Sequence, residues 1–143
     1  MLHVAFRYGE TKLFAQLVYF FRGGDSAHVE VAELLGDGIW RCTSSSYMDK
    51  GPRAKDMPLP ASKWRLYKTD IDPVVAHEWL ARNKGKGYAW WKLLRFVFPW
   101  IRPSFGGPPC SQCWAHCVAI GHSDSWDLRN AEAATAWRYE RVQ

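Results

Sequence analysis

Hydrophobic and polar residues alternate most regularly between Ser26 and Leu35. Ala27, Val29 and Val31 alternate with His28, Glu30 and Ala32. A period of two, with one apolar and one mixed face, predicts a β-strand. Asp37-Gly38 follows as a hairpin-turn signal, and Ile39–Thr43 can return as the second strand. Upstream, the short apolar run Met1–Phe6 predicts an edge strand. Thr11 is an N-cap type of residue. The apolar positions after it, Leu13, Phe14, Leu17, Val18 and Phe21, fall on one helical face, and Gly23-Gly24 stops that helix. Lys50–Pro60 is rich in proline and charge and reads as a loop with room for a short strand. In Lys63–Lys68, Trp64 and Leu66 alternate with charged neighbours, which predicts a third strand.

The second half of the chain changes period. Asp72-Pro73 opens a helix, with Asp as the cap and Pro at the first position. The helix continues through Val74, Val75, Trp79 and Leu80 to about Asn83. After Gly85 and Gly87, Tyr88–Phe98 has helical spacing and is strongly aromatic. Pro99–Pro109 reads as a loop. Cys110–Ile120, ended by Gly121, and Asp127–Trp137 read as the last helices. A helix, a small antiparallel sheet and then a run of helices define an α+β class in a single domain over residues 1–143.

Composition adds little to this picture. The 48% hydrophobic content suffices for one core, and nine Trp, six Tyr and seven Phe suit either a compact two-layer fold or an extended-substrate groove. The net charge of +5 could favour an anionic partner, but Lys and Arg are spread along the chain. A solvated basic surface is the simpler reading, and only weak, non-specific nucleic-acid binding is expected. Met1–Ala5 lacks the basic and apolar regions of a signal peptide. No stretch reaches the roughly 18 uninterrupted apolar residues of a membrane span. The expectation is a chain made in a reducing cytoplasm with Cys42, Cys110, Cys113 and Cys117 as free thiols.

Two constellations could carry chemistry. Cys110 stands where a proline-rich loop meets a helix start, and the positive end of the helix dipole favours a thiolate there. A buried structural thiol is the alternative, and Cys113 and Cys117 fit it. Cys110, Cys113, His116 and Cys117 also form a C-x-x-C-x-x-H-C run. Four ligands on one continuous helix cannot easily surround a zinc ion tetrahedrally unless Cys42 or His122 completes the site. In the second constellation, His28 and Glu30 share a strand face, so the carboxylate can orient the imidazole. A solvated polar strand face is the competing interpretation. His3, His77, His116 and His122 are rival bases.

Taken in order, these residues resemble a known family. A helix, S-x-H-V-E at Ser26–Glu30, G-D-G-I-W at Gly36–Trp40, a second helix, G-K-G-Y-A-W-W-K-L-L at Gly85–Leu94 and C-S-Q at Cys110–Gln112 together resemble the circularly permuted NlpC-type papain-like cysteine hydrolases, the YiiX-like group. In that group the histidine strand precedes the cysteine helix, the order found here, and the likeness spans about Ala5 to Gly121. It implies a permuted papain-like fold, Cys110 as nucleophile, His28 as base and Glu30 as the polar third residue. Ala89 replaces the acid of the family's G-x-x-Y-D-W motif, and Gln112 replaces the acid of C-S-E, so no role attaches to those acids here. The family acts on amide and sometimes ester bonds, including peptidoglycan peptides and lipid-linked substrates, without a cofactor or metal. Small stand-alone members occur in bacteriophages, which would bring such a chain to the cell wall through a virion or after lysis.

The chemistry expected from this resemblance is amide hydrolysis through an acyl-enzyme. Cys110 attacks the carbonyl, His28 moves the proton, Glu30 orients His28, and the Cys110 backbone N–H helps hold the oxyanion. Tyr8 and Ser26 are candidate further donors. Trp40, Trp90, Trp91 and Trp100 are candidate groove walls, with core packing the simpler role. The competing functions are a catalytically silent binding or virion component on the same fold, and a lipid- or ester-directed thioesterase or acyltransferase.

Overall fold

The computed structural model describes residues 1–9, 11, 13, 16, 20, 26–46, 48–87, 135–136 and 139–143. Its centre is one antiparallel sheet of five strands: β1 (Leu2–Tyr8), β2 (Ser26–Gly36), β3 (Ile39–Ser46), β4 (Gly51–Pro58) and β5 (Trp64–Lys68), in the spatial order β4-β3-β2-β1-β5. A helix, α1 (Val74–Asn83), follows the last strand. The described residues therefore form a small α+β fold.

Strand alternation divides the sheet into two faces. On one, Leu2, Val4, Phe6, Val29, Val31 and Tyr67 pack with Ala76 and Trp79 of α1. On the other, Ala5, Ala32, Cys42, Trp64 and Leu66 form a second apolar cluster with Leu59. Glu30 belongs to this second face, since it pairs with Ala5 across β1–β2. The apolar-plus-mixed pattern of β2 thus corresponds to a strand covered on both sides.

The β2–β3 hairpin forms as Asp37-Gly38 predicts. Both residues have positive φ, 50° and 73°, as a two-residue turn matched to strand twist requires. Leu35 is the extra residue in the register between Leu34 and Gly36. Asp72 caps α1 as expected, accepting a hydrogen bond from the Val74 N–H at 2.9 Å.

Two elements differ from their sequence pattern. The N-terminal run is not an edge strand, because β1 lies between β2 and β5. Its apolar residues face α1, and its Ala5 is buried on the other side. Lys50–Pro60, read as a loop with room for a short strand, is mostly strand: its eight residues Gly51–Pro58 form β4, paired with β3 from Ser46↔Gly51 to Ile39↔Pro58. Pro52 and Pro58 obscure it in the sequence, and β4 tolerates them because it is an edge among the described strands. The opposite edge, β5, is covered by the C-terminal residues: Leu66 N–H donates to the Gln143 carbonyl and Val142 N–H to the Leu66 carbonyl.

Of the predicted first helix, Leu13, Gln16 and Phe20 are helical, and Leu13, assigned to the apolar face, is 78% exposed. Phe14, Leu17, Val18 and Phe21 lie outside the described residues. So do the predicted segments Tyr88–Phe98, Pro99–Pro109 and Cys110–Ile120, and all of Asp127–Trp137 except the helical Thr135 and Ala136. No described helix is long and apolar enough to cross a membrane.

Candidate functional site

Residues i and i+2 of β2 put His28 and Glu30 on the same face, and their side chains meet. His28 Nε2 and Glu30 Oε1 are 2.5 Å apart. The histidine side chain keeps 24% of its surface exposed, whereas that of Glu30 is fully buried. An isolated carboxylate in such a place would be protonated. Here two neighbours reverse that outcome. Burial pushes the Glu30 carboxyl up, but the adjacent His28 and Arg53 outweigh it and bring it down to about 2. An ionised carboxylate only accepts hydrogen bonds. His28 Nε2 is therefore the donor, and in the neutral ring the lone pair belongs to Nδ1.

Arg53, from β4, supplies the counter-charge. Its Nη1 donates to Glu30 Oε2 at 2.7 Å and its Nη2 to Oε1 at 2.5 Å. This is the bidentate geometry that makes arginine–carboxylate pairs strong. The same guanidinium donates from Nη1 to the Cys42 carbonyl at 3.1 Å and from Nε to Asp49 Oδ2 at 2.9 Å. Hydrogen bonding to Arg53 also holds the Asp49 carboxyl below its ordinary range. A continuous series Asp49–Arg53–Glu30–His28 thus crosses from the β3–β4 turn to β2. Reading Lys50–Pro60 as a loop with room for only a short strand left Arg53 without a role. The signal was present: Arg53, Lys55 and Met57 alternate with Pro52, Ala54 and Asp56.

The surroundings of His28 are aromatic and basic. Arg7 of β1 pairs with His28 in register, and Trp64 of β5 pairs with Arg7. The Arg7 guanidinium carbon lies 5.8 Å from the Trp64 ring centre, and the His28 and Trp64 rings meet edge to face at 6.5 Å.

The other sequence candidates separate from this cluster. His77 reaches Glu33 at 3.1 Å from α1 and so sits on the opposite face of the sheet. His3 packs edge to face on Trp40 at 4.9 Å, and burial, Lys68 and the N-terminal charge lower its basicity. Its Nδ1 is buried without a hydrogen-bond partner among the described residues. Tyr8 donates its hydroxyl to the Ala61 carbonyl at 2.6 Å, so it does not serve as an oxyanion donor in this geometry. Trp40 packs against the Cys42 cluster, a core role. Cys42 is buried, and burial together with the Glu30 charge pushes its thiol up to about 12, the opposite of an activated nucleophile. Cys110, Cys113, Cys117, His116, His122, Trp90, Trp91 and Trp100, and the side chain of Ser26, lie outside the described residues. Among the described residues no cluster of His, Cys, Asp and Glu has the grouping of a metal site.

The site as described can hold one imidazole in one orientation with a fixed negative charge behind it. That arrangement can accept a proton and stabilise the resulting imidazolium. Comparison of the chain with family models, with curated proteins and with solved structures finds no match.

Proposed function

We propose that the chain is a thiol-dependent amide hydrolase of the permuted papain-like type, with Cys110 as nucleophile and His28 as general base. One observation carries this reading: a partly exposed imidazole bound through Nε2 to a fully buried carboxylate. A histidine so held presents Nδ1 as its basic atom, the atom through which a proton must pass to and from a thiol. The order of residues supports it, since the histidine strand precedes Cys110 in the chain, as histidine precedes cysteine in the resembling family. In the reaction, His28 Nδ1 takes the Cys110 thiol proton and the thiolate attacks the carbonyl carbon. The tetrahedral intermediate collapses as His28 protonates the leaving amine. Water, deprotonated by His28, then cleaves the thioester and releases Cys110. Peptide bonds of peptidoglycan are the proposed substrate, in a bacteriophage or host setting.

The test is site-resolved alkylation together with turnover. Iodoacetamide should label Cys110 faster than any other cysteine of the folded protein, and muropeptide hydrolysis should disappear in both Cys110→Ala and His28→Ala. Hydrolysis that survives Cys110→Ala would overturn the assignment. A non-catalytic binding module is the second reading. What favours it is that Arg53 and Glu30 join β4 to β2 through partly buried hydrogen bonds, a role that needs no reaction. In that case the protein would bind muropeptides or another ligand without consuming it.

A further inference from the structure

We infer that Arg53, held in turn by Asp49, is the positioning residue of the site: it fixes the Glu30 carboxylate so that His28 is locked through Nε2. This rests on the hydrolase reading for its catalytic consequence, though not for its structural one.

The argument begins with what Glu30 would do alone. A carboxylate has about four acceptor positions and several rotamers, and in a buried site its position is set by whatever donates to it. His28 contributes a single hydrogen bond to Oε1. Arg53 contributes two, one to each oxygen, so the plane of the carboxylate is defined by the guanidinium and not by the histidine. Arg53 is itself over-determined. Its Nη1 also meets the Cys42 carbonyl, which belongs to the backbone of β3, and its Nε is held by Asp49. The guanidinium therefore ties the carboxylate to a rigid strand.

Lysine could neutralise Glu30 but could not reproduce this geometry, since an ammonium is a point charge and lacks the planar fork. The register explains why the guanidinium can span the distance. Arg53 pairs with Ser44 of β3, and with Ala32 opposite Cys42 on the β2 side, Glu30 falls one strand beyond Ser44 on the same face. Arg53 thus reaches across β3, and Ser44 is fully buried beneath the reach.

A merely structural role would move stability only, so the test reads the histidine itself. Arg53→Met, Arg53→Lys and Asp49→Asn are prepared in the full chain. The ring nitrogens of His28 are followed by ¹⁵N NMR, and alkylation of Cys110 by iodoacetamide is followed by peptide mapping. Wild type should show one neutral tautomer, protonated at Nε2. Arg53→Met should show a mixture of tautomers and a Cys110 labelling rate lower by on the order of tenfold to a hundredfold, the loss seen when metal-bound histidines lose the partner that orients them. Arg53→Lys should fall between, with Asp49→Asn nearest wild type. If Arg53→Met does not fold, Arg53→Lys and Asp49→Asn carry the test by the same readouts. An unchanged tautomer and an unchanged labelling rate in the folded variants would overturn the inference. A tautomer change in a protein whose Cys110 is unreactive even in wild type would uphold the positioning role and overturn the hydrolase reading instead.

Discussion

Replacing Glu30 by glutamine keeps the shape of the side chain and removes its charge, and the structure sets the size of the effect. Glu30 is fully buried and accepts three hydrogen bonds, one from His28 and two from Arg53. Removing one partner of a buried ion pair costs about 3–5 kcal/mol, because the other charge stays buried without its counter-ion. Arg53 retains Asp49 and the Cys42 carbonyl, which places the expected loss at the lower end, about 3 kcal/mol. Linkage gives a second route to the figure. The carboxyl is held at about 2 against an ordinary 4.5. At ~1.4 kcal/mol per pH unit, this difference is on the order of 3 kcal/mol. The loss is a large part of the roughly 5–15 kcal/mol that stabilises a typical domain.

The pH dependence follows from the direction of the shift. A carboxyl depressed by folding contributes its stabilisation fully above its unfolded value of 4.5 and loses it as pH falls from there towards about 2. Urea denaturation at pH 7 should therefore show Glu30→Gln less stable than wild type by about 3 kcal/mol with an unchanged slope. The gap should narrow steadily between pH 4.5 and pH 2, where the carboxyl of the unfolded wild-type chain takes up its proton while that of the folded chain stays ionised. A variant within 1 kcal/mol of wild type at pH 7, or a gap that stays constant on acidification, would refute the reasoning, since neither is compatible with an ionised, buried Glu30.

Two further outcomes follow from the same structure. Gly51 has φ +146°, and a Cβ there would meet the Lys86 carbonyl oxygen at 2.5 Å. Because that neighbour is backbone and cannot swing away, Gly51→Ala should lower stability by roughly 2 kcal/mol or more, read as a shift in the urea midpoint; a midpoint equal to wild type would show that segment 84–87 does not pack on β4. Cys42, buried with its thiol at about 12, should resist iodoacetamide at pH 8 in the folded protein and react once the chain is unfolded in urea. Alkylation at equal rates in both states would contradict its place in the sheet.

The sequence by itself determined the local elements whose signal is carried by neighbouring residues. The alternation around Val29 and Val31, the Asp37-Gly38 turn and the Asp72 cap each depend on residues within a few positions, so strand β2, its hairpin and helix α1 were legible. The pairing of His28 with Glu30 was legible for the same reason, since a strand puts i and i+2 side by side. Tertiary structure alone decided the rest. Whether a strand is an edge depends on what lies beside it, which is why the short run Met1–Phe6 became part of an interior strand and the proline-bearing Lys50–Pro60, with room for only a short strand in its pattern, supplied an eight-residue edge strand. The depressed Glu30 carboxyl is likewise a property of assembly. Its strand neighbour His28 lowers it most, and Arg53, 23 positions further along, arrives across β3 to lower it further against the opposing effect of burial. Charges distant in the chain acquire strong interactions only when folding removes the water between them. The chemistry that β2 suggests through its histidine is given a fixed direction by an arginine that no local pattern ties to it.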